Sequence, residues 1–135
     1  MSLFHLLNHE KMNNTELVRT ALTEAFIKKD ITAFDRYFSD DYIQHNPMLG
    51  NGREALKAMF APMLPNLTVE LGVSTENGDI VMVHGRITGF GPKPMILVDI
   101  FRVKDGKLAE HWDVLQEEVP AGQTASKNAM FSVNL

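Results

Sequence analysis

The segment MILVDIFRVKDGKLAEHWDVLQEE, residues 95–118, decides the fold. Its first part, 95–103, is rich in β-branched and aromatic residues, and side chains at alternate positions of such a segment share a face, which predicts a strand. The KDGK sequence at 104–107 is typical of a tight hairpin turn, because glycine adopts left-handed backbone angles at little cost. The part that begins at Leu108 predicts the partner strand, so the whole segment predicts an antiparallel β-hairpin.

Two further strands are predicted before this hairpin. LTVELGVSTE, residues 67–76, alternates in polarity, and IVMVHGRITGF, residues 80–90, is rich in β-branched residues. The NGD sequence at 77–79 between them is a strong hairpin signal. We therefore expect about four long strands, joined in chain order by short turns.

The first half of the chain predicts helices. Residues 13–30 carry apolar side chains at three- and four-residue spacing, and Asn13 can cap this helix with Glu16 as its partner. Shorter helices are predicted over 31–38 and 53–64, and a loop or short extended piece over 39–47 between them. The sequence predicts an α+β domain, with three helices packed on a strongly curved antiparallel sheet that leaves a pocket between the two layers.

Length and composition restrict the class of protein. The 135 residues suit one domain, 1–135, with an irregular leader over 1–12 and an irregular tail over 119–135. The 13 basic and 17 acidic residues give a net charge of −4, and no basic cluster occurs, so nucleic acid and membranes are poor candidates as partners. Cysteine is absent, and the N-terminal stretch lacks the features of a signal peptide. We expect a soluble, cytoplasmic protein.

Asp99 interrupts an apolar row in the predicted strand 95–103. Met95, Leu97, Phe101 and Val103 share its face. A carboxylate that loses water there binds its proton more tightly unless a cation or several donors compensate, which is how carboxyl groups come to act as acids or bases near neutral pH. The alternative is a structural aspartate, held by hydrogen bonds or paired with an arginine such as Arg86 or Arg102.

Other polar groups fall on neighbouring predicted strands. His84 follows an apolar start in the strand 80–90, and the last strand places His111 and Asp113 on one face and Trp112 on the other. Each histidine alone is more often structural, but three groups on adjacent strands favour a site. Trp112 is a core residue or a wall that faces a ligand. No metal-binding spacing occurs among the histidines, and we expect no metal and no cofactor.

The motifs YIQHNPMLGNGREALKAMF (42–60), VHGRI (83–87), VDIFRVKDGKLAEHWDVLQEEVP (98–120) and NAMF (128–131) resemble those of SnoaL-like proteins of the NTF2-like superfamily. Within it they are most similar to the bacterial group of predicted aldol-condensation enzymes. The resemblance spans nearly the whole chain. It implies a cone-shaped α+β fold around an apolar pocket, and homodimers formed through the sheet.

The resemblance also implies residue roles. The acid/base aspartate of the polyketide cyclases matches Asp99, and their histidine and asparagine match His84 and Asn46. An aspartate of the final strand in epoxide hydrolases of this fold matches Asp113, which favours the face with His111 as the inward one. We expect a catalytic set of Asp99, His84, His111 and Asp113, and substrate contacts from Tyr42, His45, Asn46, Met59, Phe101 and Trp112.

One position departs from the family pattern. Where relatives often have a second histidine, this chain has Arg86, and a permanent cation beside Asp99 would weaken its role as an acid.

The function expected is cofactor-independent acid/base chemistry on a small apolar carbonyl compound, either aldol condensation and cyclisation or isomerisation. The alternatives are a non-catalytic module that binds a small ligand, and a hydrolase in which aspartates position water.

Overall fold

The computed structural model describes residues 12–133, so most of the predicted leader, 1–12, lies outside the described residues. The helices are α1 (Asn14–Leu22), which continues as a π-helical turn (Thr23–Ile27), α2 (Ala33–Tyr37) and α3 (Arg53–Phe60). Single 3₁₀ turns follow at Leu64–Asn66 and Ala121–Gln123. No helix within 12–133 is long and apolar enough to cross a membrane.

In the part of the chain that the structure describes, five strands form one sheet. They are β1 (Phe38–Gln44), β2 (Thr68–Asn77), β3 (Ile80–Thr88), β4 (Met95–Lys104) and β5 (Lys107–Glu117), in the spatial order β1-β5-β4-β3-β2. The predicted α+β class is confirmed, and residues 12–133 contain the three predicted helices. The four predicted strands are β2 to β5, and the segment expected as a loop or extended piece forms the fifth.

The sheet is mixed, because β1 pairs in parallel with β5 while the other pairs are antiparallel. The hairpin signals do not predict this pairing, because they join strands that are consecutive in the sequence. Three other strands lie between β1 and β5 in the sequence. The sheet is also not strongly curled. The central pair, β3 and β4, runs over eight successive residues without a bulge, whereas each of the other three pairs contains a register shift.

The first helix begins as the sequence predicts. The Asn13 side-chain oxygen accepts a hydrogen bond from the Glu16 backbone N–H at 2.8 Å, and the Asn13 amide donates to the Glu16 carboxylate at 3.2 Å. The first bond satisfies a backbone N–H that a helix start would otherwise leave unpaired, and the second joins the two side chains. The apolar face of α1, with Leu17, Val18 and Ala21, is buried against the sheet and the other helices.

Strand register divides the sheet into two faces. Val83, Asp99 and Asp113 are direct neighbours across β3, β4 and β5, and so are Val81, Phe101 and His111. These rows face the helices. The intervening rows, which contain Met82, Ile100 and Trp112, and His84, Val98 and Val114, face the other way.

The described part of the tail, 118–133, is irregular apart from one 3₁₀ turn and returns to the outer face of the sheet. The Phe131 ring lies 5.4 Å from the ring of His84, and a side chain at Gly72 would meet Ser132 and Phe131 at less than 3.0 Å. This close packing holds the tail against β2 and β3.

We predict that Gly89→Ala destabilises the fold by about 2 kcal/mol or more, because a side chain at this position would strain the backbone and clash with a neighbouring carbonyl. Its φ is +99°, and a Cβ would lie 2.2 Å from the Asn66 carbonyl oxygen. Urea unfolding measures the effect. The control is Gly91→Ala, where a Cβ meets open space, with an expected change within about 0.5 kcal/mol. Equal effects of the two substitutions would contradict the packing described.

Candidate functional site

A cavity of about 80 Å³ lies between the helices and the inner face of the sheet. Most of its lining is apolar, and aromatic side chains such as Phe26, Phe60 and Phe90 contribute to it. Polar groups line it too, and they come from three adjacent strands, β1, β5 and β4, and from the loop that follows β1. They are Tyr42, Gln44, Asn46, Asp99, His111 and Asp113, and Arg86 of β3 also lines the cavity.

Asp99 and His111 form a direct contact across β4 and β5. His111 Nε2 lies 2.7 Å from Asp99 Oδ1, and the side chains are 7% and 18% exposed. The His111 ring lies between the rings of Phe101, at 4.8 Å, and Tyr42, at 6.3 Å. Within residues 12–133, Asp99 is hydrogen-bonded through Oδ1 alone. Its second oxygen therefore remains available to a molecule in the cavity.

Asp113 is the second carboxyl group of the site, opposite Asp99 in the strand register. Its Oδ2 lies 3.7 Å from His111 Nε2, and the Asn46 amide donates to both of its oxygens, at 2.9 and 3.0 Å. Burial raises the pKa of Asp113, and the charge of Asp99 raises it further, although His111 and the Asn46 hydrogen bonds oppose this. Asp113 therefore holds a proton more readily than an exposed aspartate.

Tyr42 is 2% exposed and brings a hydroxyl group to the site. Burial raises its pKa well above the ordinary value of 10.0, and the negative charges of Asp99 and Asp113 add to the effect. The phenol is therefore a neutral hydrogen-bond donor. No hydrogen bond of this hydroxyl occurs within residues 12–133, so it can donate to a ligand oxygen.

Three alternate positions of one short segment reach the site, namely Tyr42, Gln44 and Asn46. The first two belong to β1, and the chain remains extended beyond it, where the His45 N–H donates to the His111 carbonyl at 2.9 Å. Side chains two residues apart share a face in an extended chain. Gln44 was not among the sequence-derived candidates. The two-residue spacing from Tyr42 would have indicated it, had 38–44 been recognised as a strand.

Some of the predicted site residues lie elsewhere. His84 is on the outer face of the sheet, against Phe131. His45 stacks on Trp112, with ring centres 4.8 Å apart and planes 2° from parallel, and its Nε2 lies 2.7 Å from Glu110. His84, His45 and Trp112 are on the outer face of the sheet and do not line the cavity.

Of the other residues predicted to contact a substrate, some line the cavity and one does not. Met59, in α3, is partly buried against the core and does not line the cavity, whereas Phe101, Tyr42 and Asn46 do.

Arg86 is not paired with Asp99. Its guanidinium group binds Glu118 at 2.7 Å and Glu70 at 3.0 Å. These two carboxylates raise the pKa of Arg86 further above its already high value. Glu118 and Glu70 therefore hold the Arg86 guanidinium group, and Arg86 does not act as the cation that the sequence led us to expect beside Asp99.

Among the described residues, Asp99, His111 and Asp113 form a group that could hold a metal ion, since one ligand atom from each lies within 4.8 Å of the others. One nitrogen and two carboxylate oxygens suit several divalent metals. The bond between Asp99 and His111 sets a condition on such binding: the proton between Nε2 and Oδ1 would have to leave before a metal could take its place.

The arrangement can therefore move protons. It has a buried carboxyl–imidazole pair, a second carboxyl with a raised pKa, and a phenol that stays protonated. These groups border an otherwise apolar cavity, where electrostatic interactions are stronger than in water.

The fold is similar to the folds of several solved structures. TsrD of Streptomyces laurentii is 20% identical, with a TM-score of 0.64 over 78% of this chain and 91% of that one. IdmH of Streptomyces antibioticus, a candidate polyketide cyclase, is 19% identical, with a TM-score of 0.60 over 77% and 92%. An LEH-like epoxide hydrolase of M. tuberculosis is 18% identical, with a TM-score of 0.62 over 76% and 82%. None of the curated proteins matches the sequence.

At these identities the solved structures establish a shared fold and no shared activity. The family is established by a separate comparison, in which the model of the SnoaL-like domain matches residues 18–111, more than half of the chain. The resemblance of the motifs is thereby confirmed, and the chain belongs to the SnoaL-like domain family.

Proposed function

We propose that the protein is an enzyme that transfers protons in a small, largely apolar carbonyl compound without a cofactor. The observation that carries the proposal is the buried Asp99–His111 pair beside an otherwise apolar cavity. An apolar compound gains free energy by entering such a cavity, and a carbonyl group gives it one end that needs hydrogen-bond donors. We further propose that it acts in the cytoplasm, with neither nucleic acid nor membrane as a partner.

In the first step, the free carboxylate oxygen of Asp99 takes a proton from the carbon beside the carbonyl. The C–H electron pair becomes the C=C bond of an enolate, and negative charge moves to the oxygen. The Tyr42 hydroxyl, which stays protonated, donates a hydrogen bond to that oxygen. A donor placed where charge develops lowers the barrier more than it stabilises the bound substrate.

The second step decides the reaction class. In an isomerisation, the substrate carries a C=C bond next to the deprotonated carbon, the charge of the enolate extends to the far carbon of that bond, and Asp99 returns the proton there while the double bond moves. In an aldol condensation, the enolate carbon attacks a second carbonyl, and the alkoxide that forms takes a proton from an acid. The acid we propose is Asp113, whose raised pKa suits a proton donor.

This assignment gives Asn46 and His45 roles other than oxyanion binding. Both amide hydrogen bonds of Asn46 go to Asp113, so Asn46 orients that carboxyl group. His45 points to the outer face with Trp112. The histidine that assists Asp99 is His111, on the neighbouring strand, in place of His84.

A hydrolase is the second candidate, because Asp99 and Asp113 flank His111 Nε2 and a water between two carboxylates can be activated as a nucleophile. Incorporation of labelled oxygen from solvent into a product would favour it over isomerisation or condensation. A ligand that binds tightly and is recovered unchanged would favour a binding module.

We also propose that the protein forms a homodimer through the outer face of the sheet. Val114 is 70% exposed, Met82 42% and Val98 37%, and all three belong to adjacent rows of that face. Contiguous exposed apolar side chains in the middle of a sheet favour burial against a partner. A second copy presents the same surface, so the contact can close by twofold symmetry.

The proton-transfer proposal predicts hydrogen exchange in a simple ketone. In heavy water, the wild-type protein should accelerate deuterium incorporation beside the carbonyl of cyclohexanone or phenylacetone, followed by NMR. Asp99→Asn should lose about 10²- to 10⁴-fold of that rate, because the amide cannot accept the proton. His111→Gln should also lose activity, whereas His84→Gln, on the outer face, should not. Equal rates for wild type and Asp99→Asn, with both folded, would contradict the proposal.

The raised pKa of Asp113 predicts a dependence of stability on pH. A carboxyl whose pKa is higher in the folded state stabilises the fold below its unfolded pKa, and this contribution is lost as pH rises through the folded pKa. Asp113→Asn removes the ionisation. The free energy of unfolding of the variant, relative to wild type, should therefore be higher at neutral pH than near pH 3.8, as measured by urea titration. A relative stability that does not change with pH would contradict the assignment.

The dimer proposal predicts that Val114→Lys weakens self-association, because it places a charge in the apolar contact. Sedimentation equilibrium should give the mass of two chains for wild type and of one chain for the variant. Met48→Lys is the control, since Met48 is 75% exposed and lies in the loop after β1. A monomeric wild-type protein would overturn the proposal.

A further inference from the structure

Gln44 lies at the end of β1, directly opposite His111 in the parallel pairing with β5. Its side-chain oxygen, Oε1, lies 2.6 Å from His111 Nδ1. The same oxygen accepts a hydrogen bond from the Asn46 backbone N–H at 3.0 Å. One amide oxygen therefore serves two groups of the site.

The second of these bonds determines which way the amide faces. A backbone N–H can only donate, so the Gln44 atom that it meets must be the oxygen and not the nitrogen. The His111 ring meets that same oxygen, which can only accept. Nδ1 of His111 must therefore carry a hydrogen.

The consequence appears on the other side of the ring. With a hydrogen fixed on Nδ1, the neutral ring has none on Nε2, and Nε2 faces Asp99 Oδ1 at 2.7 Å. A single proton then lies between these two atoms, held by either one. We infer that Gln44 is a positioning residue that fixes the tautomer of His111 and so makes Asp99 and His111 a pair that shares one proton. The use of that proton in catalysis rests on the proposed function. The assignment of the tautomer rests only on the hydrogen bonds of Gln44.

The unused end of the Gln44 amide supports this role. Its Nε2 is buried and has no hydrogen-bond partner within residues 12–133. An unpaired buried donor lowers stability, and a methionine would have a similar length without that donor. The two hydrogen bonds that Oε1 accepts, from His111 and from Asn46, therefore explain why glutamine occupies this position. The amide nitrogen adds no hydrogen bond that would explain it.

NMR of the histidine ring nitrogens tests the inference without a substrate. Long-range ¹⁵N–¹H correlation spectra are recorded at neutral pH on wild type, Gln44→Met, Gln44→Glu and the control Gln116→Met. Gln116 lies on the outer face of β5 and is exposed. His111→Gln identifies the signals of this ring.

We expect the Nδ1–H form to predominate in wild type and in Gln116→Met. Gln44→Met should shift the ratio toward the Nε2–H form by about tenfold, the effect of losing one such hydrogen bond. Gln44→Glu retains an acceptor at the same place and should keep the wild-type tautomer. This rescue separates positioning from a merely structural role.

A wild-type ring in the Nε2–H form would overturn the inference, and so would a folded Gln44→Met protein with an unchanged ratio. If Gln44→Met does not fold, the wild-type spectrum and the Gln44→Glu spectrum still decide the matter. A fixed Nδ1–H tautomer together with no ketone exchange would leave Gln44 in its role and reject the proposed function instead.

Discussion

The hydrogen bond between His111 and Asp99 is the interaction on which the site depends. It joins neighbouring strands on the inner face of the sheet, where little water can solvate either group. A buried carboxylate without a partner would be costly, and so would a buried imidazolium. Their proximity resolves both problems at once, because one proton satisfies two groups.

The remaining polar groups of the site are arranged around this bond. Gln44 holds the far side of the imidazole, and Asn46 holds the neighbouring carboxyl of Asp113. Both come from β1 and the loop after it, which reach the site only because β1 pairs in parallel with β5. The parallel edge of the sheet thus has a chemical consequence: it places two amides against two groups that carry protons. The outer face, with His45, His84 and Trp112, is a separate surface.

Much of this could be predicted from the sequence, for reasons that are local. Alternation along 95–103 places Asp99 among Met95, Leu97 and Phe101, and that row does face the helices. His84 illustrates the limit. Both faces of β3 carry apolar side chains, so its inward face is set by the register with β4, and a change of one residue would exchange the faces.

The segment 38–44 illustrates a second limit. Its polar sequence, FSDDYIQ, has few of the features of a strand, and its partner, β5, lies more than sixty residues away in the sequence. Only the tertiary pairing makes it extended and regular. For this reason Tyr42 and Asn46 could be named as candidates from their chemistry, while the position of Gln44 against His111 could not be recognised.

Neutron diffraction from crystals grown in heavy water would test the central claim most directly, because it locates the hydrogen isotopes on His111 and Asp99. The account predicts one deuteron on Nδ1, directed at the Gln44 oxygen, and a single deuteron between Nε2 and Asp99 Oδ1. An Nδ1 without a deuteron, or an Nε2 directed away from Asp99, would contradict it.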